Sequence, residues 1–181
     1  IRFDADTRQI TDAWSYVDQS QNSAIIFDVS PQGDVFLLSM DKASDLFSIW
    51  KMNATGQNEQ VFQNANTKYG HILNYQWFQS MHWIQTTNGI LRITGDGKNF
   101  NLYSFSQVLP TNTYVAYAGE HYYFYDQSSR AVMYWDSKMD SPKRYTTIPA
   151  KVQVSSGQFI VRDEMLYLAN GYYFFILDTL H

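Results

Sequence analysis

Apolar and aromatic residues gather in short strand-sized runs, and the runs recur at a fixed interval. Asp34-Val35-Phe36-Leu37-Leu38, Met81-His82-Trp83-Ile84-Gln85, His121-Tyr122-Tyr123-Phe124-Tyr125 and Glu164-Met165-Leu166-Tyr167-Leu168 have the size and side chains of half-buried strands. Turn-forming residues follow each: Asp41 to Asp45, Thr87-Asn88-Gly89, Gln127-Ser128-Ser129 and Asn170-Gly171. A second strand comes next and ends on a polar residue: Asn53 after Ile49-Trp50-Lys51-Met52, Thr94 after Ile90-Leu91-Arg92-Ile93, Asp136 after Val132-Met133-Tyr134-Trp135, Asp178 after Phe174-Phe175-Ile176-Leu177. These marks lie 41, 42 and 42 residues apart, so the pattern predicts four hairpins in tandem.

An outer strand follows in three units: Glu59-Gln60-Val61-Phe62, Asn101-Leu102-Tyr103-Ser104-Phe105 and Lys143-Arg144-Tyr145-Thr146-Thr147. The fourth unit ends at His181 without one, while Thr7-Arg8-Gln9-Ile10-Thr11 has the same character and no hairpin before it. The pattern therefore predicts an all-β fold, a small four-bladed β-propeller in a single domain, with repeats near 23–63, 70–108, 112–148 and 150–181 and residues 7–11 closing the last blade. Each sheet has apolar side chains on both faces, and a neighbouring blade on either side is what buries them. A β-sandwich or barrel, a portion of a larger propeller, or a ring completed by a second copy would also accommodate the strand spacing.

The first unit carries more than spacing. Ser30-Pro31-Gln32-Gly33-Asp34-Val35-Phe36-Leu37-Leu38-Ser39, followed by Ile49-Trp50-Lys51-Met52-Asn53-Ala54-Thr55-Gly56-Gln57-Asn58-Glu59, resembles the WD40-like repeat of TolB-type β-propellers. Gln32 stands where that repeat usually has Asp, and Trp50 where it usually has Tyr. The later units keep the interval and lose the Ser-Pro-x-Gly turn. The resemblance implies a periplasmic or extracellular propeller that docks proteins or senses ligands, in some cases as the outer domain of a membrane-anchored transcriptional regulator. A chain opening at Ile1 leaves room for such an anchor upstream.

Composition narrows the partners. Thirteen Lys and Arg against 17 Asp and Glu give a net charge of −4, and no window concentrates basic residues, which argues against direct nucleic acid contact. The absence of cysteine excludes disulfides and thiolate chemistry. No apolar run approaches the roughly 20 residues that span a bilayer.

Catalytic signals are sparse. The four histidines, His71, His82, His121 and His181, form no HExxH or related zinc spacing, and no Gly-x-Ser-x-Gly elbow is present. Gly95-Asp96-Gly97-Lys98-Asn99 reads as a tight turn rather than a calcium loop, because it offers one carboxylate. Asn53-Ala54-Thr55 fits a glycosylation sequon inside a turn where Asn is expected anyway. The aromatic runs at 122–125 and 172–175 read as core shared between neighbouring sheets.

These observations favour a non-catalytic interaction or sensory module that needs no metal or cofactor and binds a protein or small ligand on its loop face. The residues expected there are Asp41, Lys42, Asp45, Asn88, Gln127, Arg130 and Asn170. The competing expectation is a lyase-like polysaccharide-active enzyme, which would require His82 or His121 to converge with carboxylates.

Overall fold

A computed structural model describes residues 2–4, 9–12, 24–41, 43–53, 57–65, 68–150, 159–162, 165–170 and 173–178. These contain 17 strands and no helix: β1 (Arg2–Asp4), β2 (Gln9–Asp12), β3 (Ala24–Val29), β4 (Val35–Asp41), β5 (Leu46–Met52), β6 (Asn58–Ala65), β7 (Ile72–Phe78), β8 (Met81–Thr86), β9 (Gly89–Thr94), β10 (Phe100–Ser104), β11 (Thr113–Ala118), β12 (His121–Asp126), β13 (Ala131–Trp135), β14 (Lys143–Thr147), β15 (Phe159–Arg162), β16 (Met165–Asn170) and β17 (Tyr173–Asp178). Strands consecutive in sequence pair antiparallel to form sheets β3–β6, β7–β10, β11–β14 and β15–β17, plus the hairpin β1–β2. The chain divides into two compact units, Ile1–Asn64 and Ala65–His181.

All four hairpins anticipated from the sequence form: β4–β5, β8–β9, β12–β13 and β16–β17. Of the segment expected to close the last blade, residues 7 and 8 lie outside the described residues, and Gln9–Asp12 form β2, which pairs with β1, Ile10 opposite Phe3 and Gln9 opposite Asp4; the last sheet has three strands among the described residues.

In the first unit, Ser30-Pro31-Gln32-Gly33 makes the expected turn. Gly33 N–H donates to the Ser30 carbonyl at 2.9 Å and Asp34 N–H to Ser30 Oγ at 3.1 Å. Gly33 has φ +86°, a backbone region that an L side chain rarely enters. Phe36, Leu38, Phe47, Ile49 and Phe62 are buried between the strands that follow.

The second unit shows why aromatic residues run consecutively along β12. Tyr122 and Phe124 pack with Trp83, Ile90, Phe105 and Trp135, toward the β7–β10 sheet. Tyr123 and Tyr125 turn the other way, onto Phe159, Leu166 and Leu168 of the last sheet. A strand buried on both faces has no polar alternation to display. Each large ring removed from water stabilises the fold by about 1.5–3 kcal/mol. The edge strands meet as well, with β11 beside β7 on one flank and β15 on the other.

The polar residues that mark the repeat end their strands for a shared reason. Asn53 Oδ1 accepts from Gln57 N–H at 3.0 Å, Thr94 Oγ1 from Asn99 N–H at 3.1 Å, and Asp136 Oδ1 from Lys138 N–H at 2.8 Å. Each side chain closes the turn into the outer strand.

Candidate functional site

The β4–β5 and β12–β13 turns are copies of one device. Asp41 Oδ1 accepts from Ala43 N–H at 2.9 Å and its Oδ2 from Ser44 Oγ at 2.6 Å. Asp126 Oδ1 accepts from Ser128 N–H at 2.8 Å and its Oδ2 from Ser129 Oγ at 2.5 Å. Asp45 and Arg130 then close the turns in the left-handed region, at φ 54° and 56°. The Ser44 hydroxyl and the Ala43 N–H hold the Asp41 carboxyl below its ordinary value. Asp41 is therefore engaged in its own turn. Gln127 is exposed in the position that Lys42 has in the sequence of the other turn, and Lys42 lies outside the described residues.

Asn88 occupies a different setting. Thr86 Oγ1 accepts from the N–H groups of Asn88 and Gly89 at 3.2 and 3.1 Å, and Thr86 and Thr87 are buried. Two segments converge on this turn, one entering β7 and one leaving β10: His71 N–H donates to Thr87 Oγ1 at 3.0 Å, Leu109 N–H to the Thr87 carbonyl and Phe105 N–H to the Asn88 carbonyl, both at 2.8 Å. Ile148 N–H likewise donates to the Arg130 carbonyl at 2.8 Å. The connection leaving β10 reaches the next turn through Asn112 Nδ2, which donates to Ser128 Oγ at 2.9 Å. Asn88 and the Gln127–Arg130 turn thus belong to one end of the second unit. Asn170 ends β16 opposite Tyr173.

Among the described residues, His82 and His121 do not converge with carboxylates as ligands of one site. His82 is fully buried: Nδ1 faces Tyr75 OH at 2.9 Å, Nε2 faces the Gly95 carbonyl at 3.4 Å, and Trp77 packs edge-on at 4.7 Å. Burial pulls its pKa down to about 4, only partly offset by the Gly95 carbonyl. His121 is exposed, and its Nδ1 lies 2.7 Å from Tyr134 OH, which donates to Asp136 Oδ2 at 3.1 Å. Burial, reinforced by Asp136, pushes the Tyr134 phenol up to about 12, so it keeps its proton at neutral pH and is a poor base. Gly95–Asn99 is a turn in which Asp96 accepts from Thr94 Oγ1 at 2.6 Å and Lys98 N–H at 3.1 Å. Among the described residues no three His, Cys, Asp or Glu side chains cluster as metal ligands.

One concave feature of the second unit lies where the edge strands converge. Asn74 of β7, Val115, Ala116 and Tyr117 of β11, and Phe159 to Val161 of β15 line an open cleft of about 370 Å³. That volume falls in the range of ligand pockets, about 300–1,000 Å³. Ile160 is half exposed at its wall, and Asn74 Oδ1 is fixed by Tyr75 N–H at 2.9 Å. Sequence reasoning did not find this cleft, since its residues look like ordinary strand positions.

Solved structures place these sheets in a class. YCF48 bound to D1 peptide superposes with a TM-score of 0.67 at 9% identity over 91% of this chain and 53% of that one. The computationally designed Ika4 protein gives 0.58 at 13% identity, over 94% of this chain and 99% of its own. Myxococcus xanthus glutaminyl cyclase gives 0.52 at 10% identity, over 89% and 75%. These are β-propellers, and the chain has a fold of the β-propeller class. It spans about half the length of the YCF48 structure. No family model matches the sequence, and no curated protein matches it.

Proposed function

We propose that this propeller is a non-catalytic binding module that holds a segment of another protein in the cleft between β7, β11 and β15. The observation that carries the reading is the cleft itself: apolar walls from Val115, Ile160 and Val161, with Asn74 and Tyr117 as polar groups. Strands β7, β11 and β15 are terminal in their sheets, so backbone donors and acceptors border the space and can pair with an extended chain. The peptide carried by the YCF48 structure supports peptide binding on a similar scaffold. A periplasmic or extracellular setting, and a role as the outer domain of a membrane-anchored regulator, rest on the TolB-like pattern of the first repeat.

The test is a displayed-peptide selection on the intact protein, followed by titration of the selected peptides. Ile160→Arg places a charge in the cleft at a half-exposed position and should weaken them at least tenfold, about 1.4 kcal/mol, while leaving the melting temperature nearly unchanged. Peptides that bind Ile160→Arg as well as the parent would remove the cleft as their seat.

A further inference from the structure

Arg92 stands in the middle of β9, opposite Trp83 of β8 and Asn101 of β10. Its guanidinium carbon lies 5.6 Å from the centre of the Trp83 ring and 5.6 Å from that of Tyr103. No hydrogen bond or ion pair reaches this half-buried group among the described residues. Stacking on rings uses the flat face of a guanidinium, whereas its five N–H donors lie in the plane and point outward. The rings flank the guanidinium without using its donors, which are left open to water or to an incoming acceptor.

What can fill it is limited by space and charge. A cleft of about 140 Å³, bounded by Met81, Arg92, Thr94, Asn99, Phe100 and Asn101, opens beside the guanidinium. That is the liquid volume of about four or five waters, enough for the end of one side chain. It is well below the roughly 300 Å³ at which pockets for whole small molecules begin. A second cation stands close, with Lys68 Nζ 5.7 Å from the centre of the Phe100 ring. The nearby Asp96 carboxylate is already held by Thr94 Oγ1 and by Lys98, whose Nζ is 3.3 Å away. Strand β10 is the last in its sheet among the described residues, so its outer edge is where a further strand can add.

We propose that the cleft at Arg92 is a carboxylate subsite that receives an aspartate or glutamate side chain from an extended peptide laid along the free edge of β10. The carboxylate accepts two parallel N–H bonds from the guanidinium, while the peptide backbone adds a strand to the sheet. Asn99 and Asn101, both exposed at the rim, supply neutral hydrogen bonds. None of these residues lines the cleft between β7, β11 and β15, so the subsite stands or falls independently of that one.

The experiment uses the intact protein, labelled so that the Arg92 Nε–H resonance is visible. It is titrated with the blocked pentapeptide acetyl-Val-Thr-Glu-Val-Thr-amide, with its Gln counterpart and with free glutarate. The Glu peptide should move the Arg92 resonance and the β10 amides and bind at least tenfold more tightly than the Gln peptide. Arg92→Gln should abolish the difference. Glutarate should require concentrations at least a hundredfold higher, because it cannot pair with the strand. Glutarate binding as tightly as the peptide would mean a small dicarboxylate ligand and overturn the proposal. So would equal affinity for the two peptides, or binding of neither, on the unaltered protein, whatever the fate of the variant.

Discussion

Acid should weaken this fold through His82. The ring is fully buried, its Nδ1 accepts from Tyr75 OH, and its Nε2–H points at the Gly95 carbonyl, which is the neutral tautomer. Its pKa falls from 6.5 to about 4, chiefly because burial penalises the imidazolium. Unfolded chains therefore bind a proton at this site below pH 6.5 while the folded protein does not. The stability it contributes is complete above pH 6.5, declines as pH falls, and is gone below about 4. The gap of about 2.5 units corresponds to about 3 kcal/mol in full, and to about 2 kcal/mol at pH 5. Urea unfolding at pH 7, 6 and 5 measures it, with His82→Gln as the non-titrating comparison. The variant should be the less stable protein at pH 7 and should lose about 2 kcal/mol less than the parent between pH 7 and pH 5. Contributions from His71, His121 and the carboxylates cancel in that difference. Equal losses in the two proteins would refute the reasoning.

Two substitutions test the turns. Asp41→Ala and Asp126→Ala each delete the same pair of hydrogen bonds, so the two should lower the chemical denaturation midpoint by similar amounts, and a large disparity would break the equivalence of the turns. Gly89→Ala drives a methyl into the Tyr103 carbonyl across the β9–β10 ladder and should destabilise by about 1–3 kcal/mol, measured as a lower melting temperature.

Much of the architecture could be read before the coordinates. Hairpins such as β4–β5 announce themselves because Asp41-Lys42-Ala43-Ser44-Asp45 has the side chains a turn of this shape requires. The first strand of each sheet was harder to see. Between β7 and β8 the turn is made by Gln79 and Ser80, both left-handed at φ 51° and 59°, with no Gly or Asn to signal it. The setting of the candidate site residues was not legible in the same way, because polarity in a loop does not reveal how a group is held. Asp41 is engaged in its own turn, and Asn88 sits in a turn clamped by neighbouring segments. Arg92 attracted no notice inside Ile90-Leu91-Arg92-Ile93, where it served only to mark the register. A cation within an aliphatic strand, with no acid set opposite it, was the available signal.

The hydrogen bonds from Phe105 to the Asn88 carbonyl and from Ile148 to the Arg130 carbonyl bear on how such a chain can grow. In both sheets the departing polypeptide is pinned to that sheet's own hairpin, so the direction of departure is set locally. Duplicating such a cassette in a gene would deliver the new copy already aimed, without compensating changes elsewhere. Side chains could then diverge far beyond recognisable similarity while the interval of 41 or 42 residues persisted.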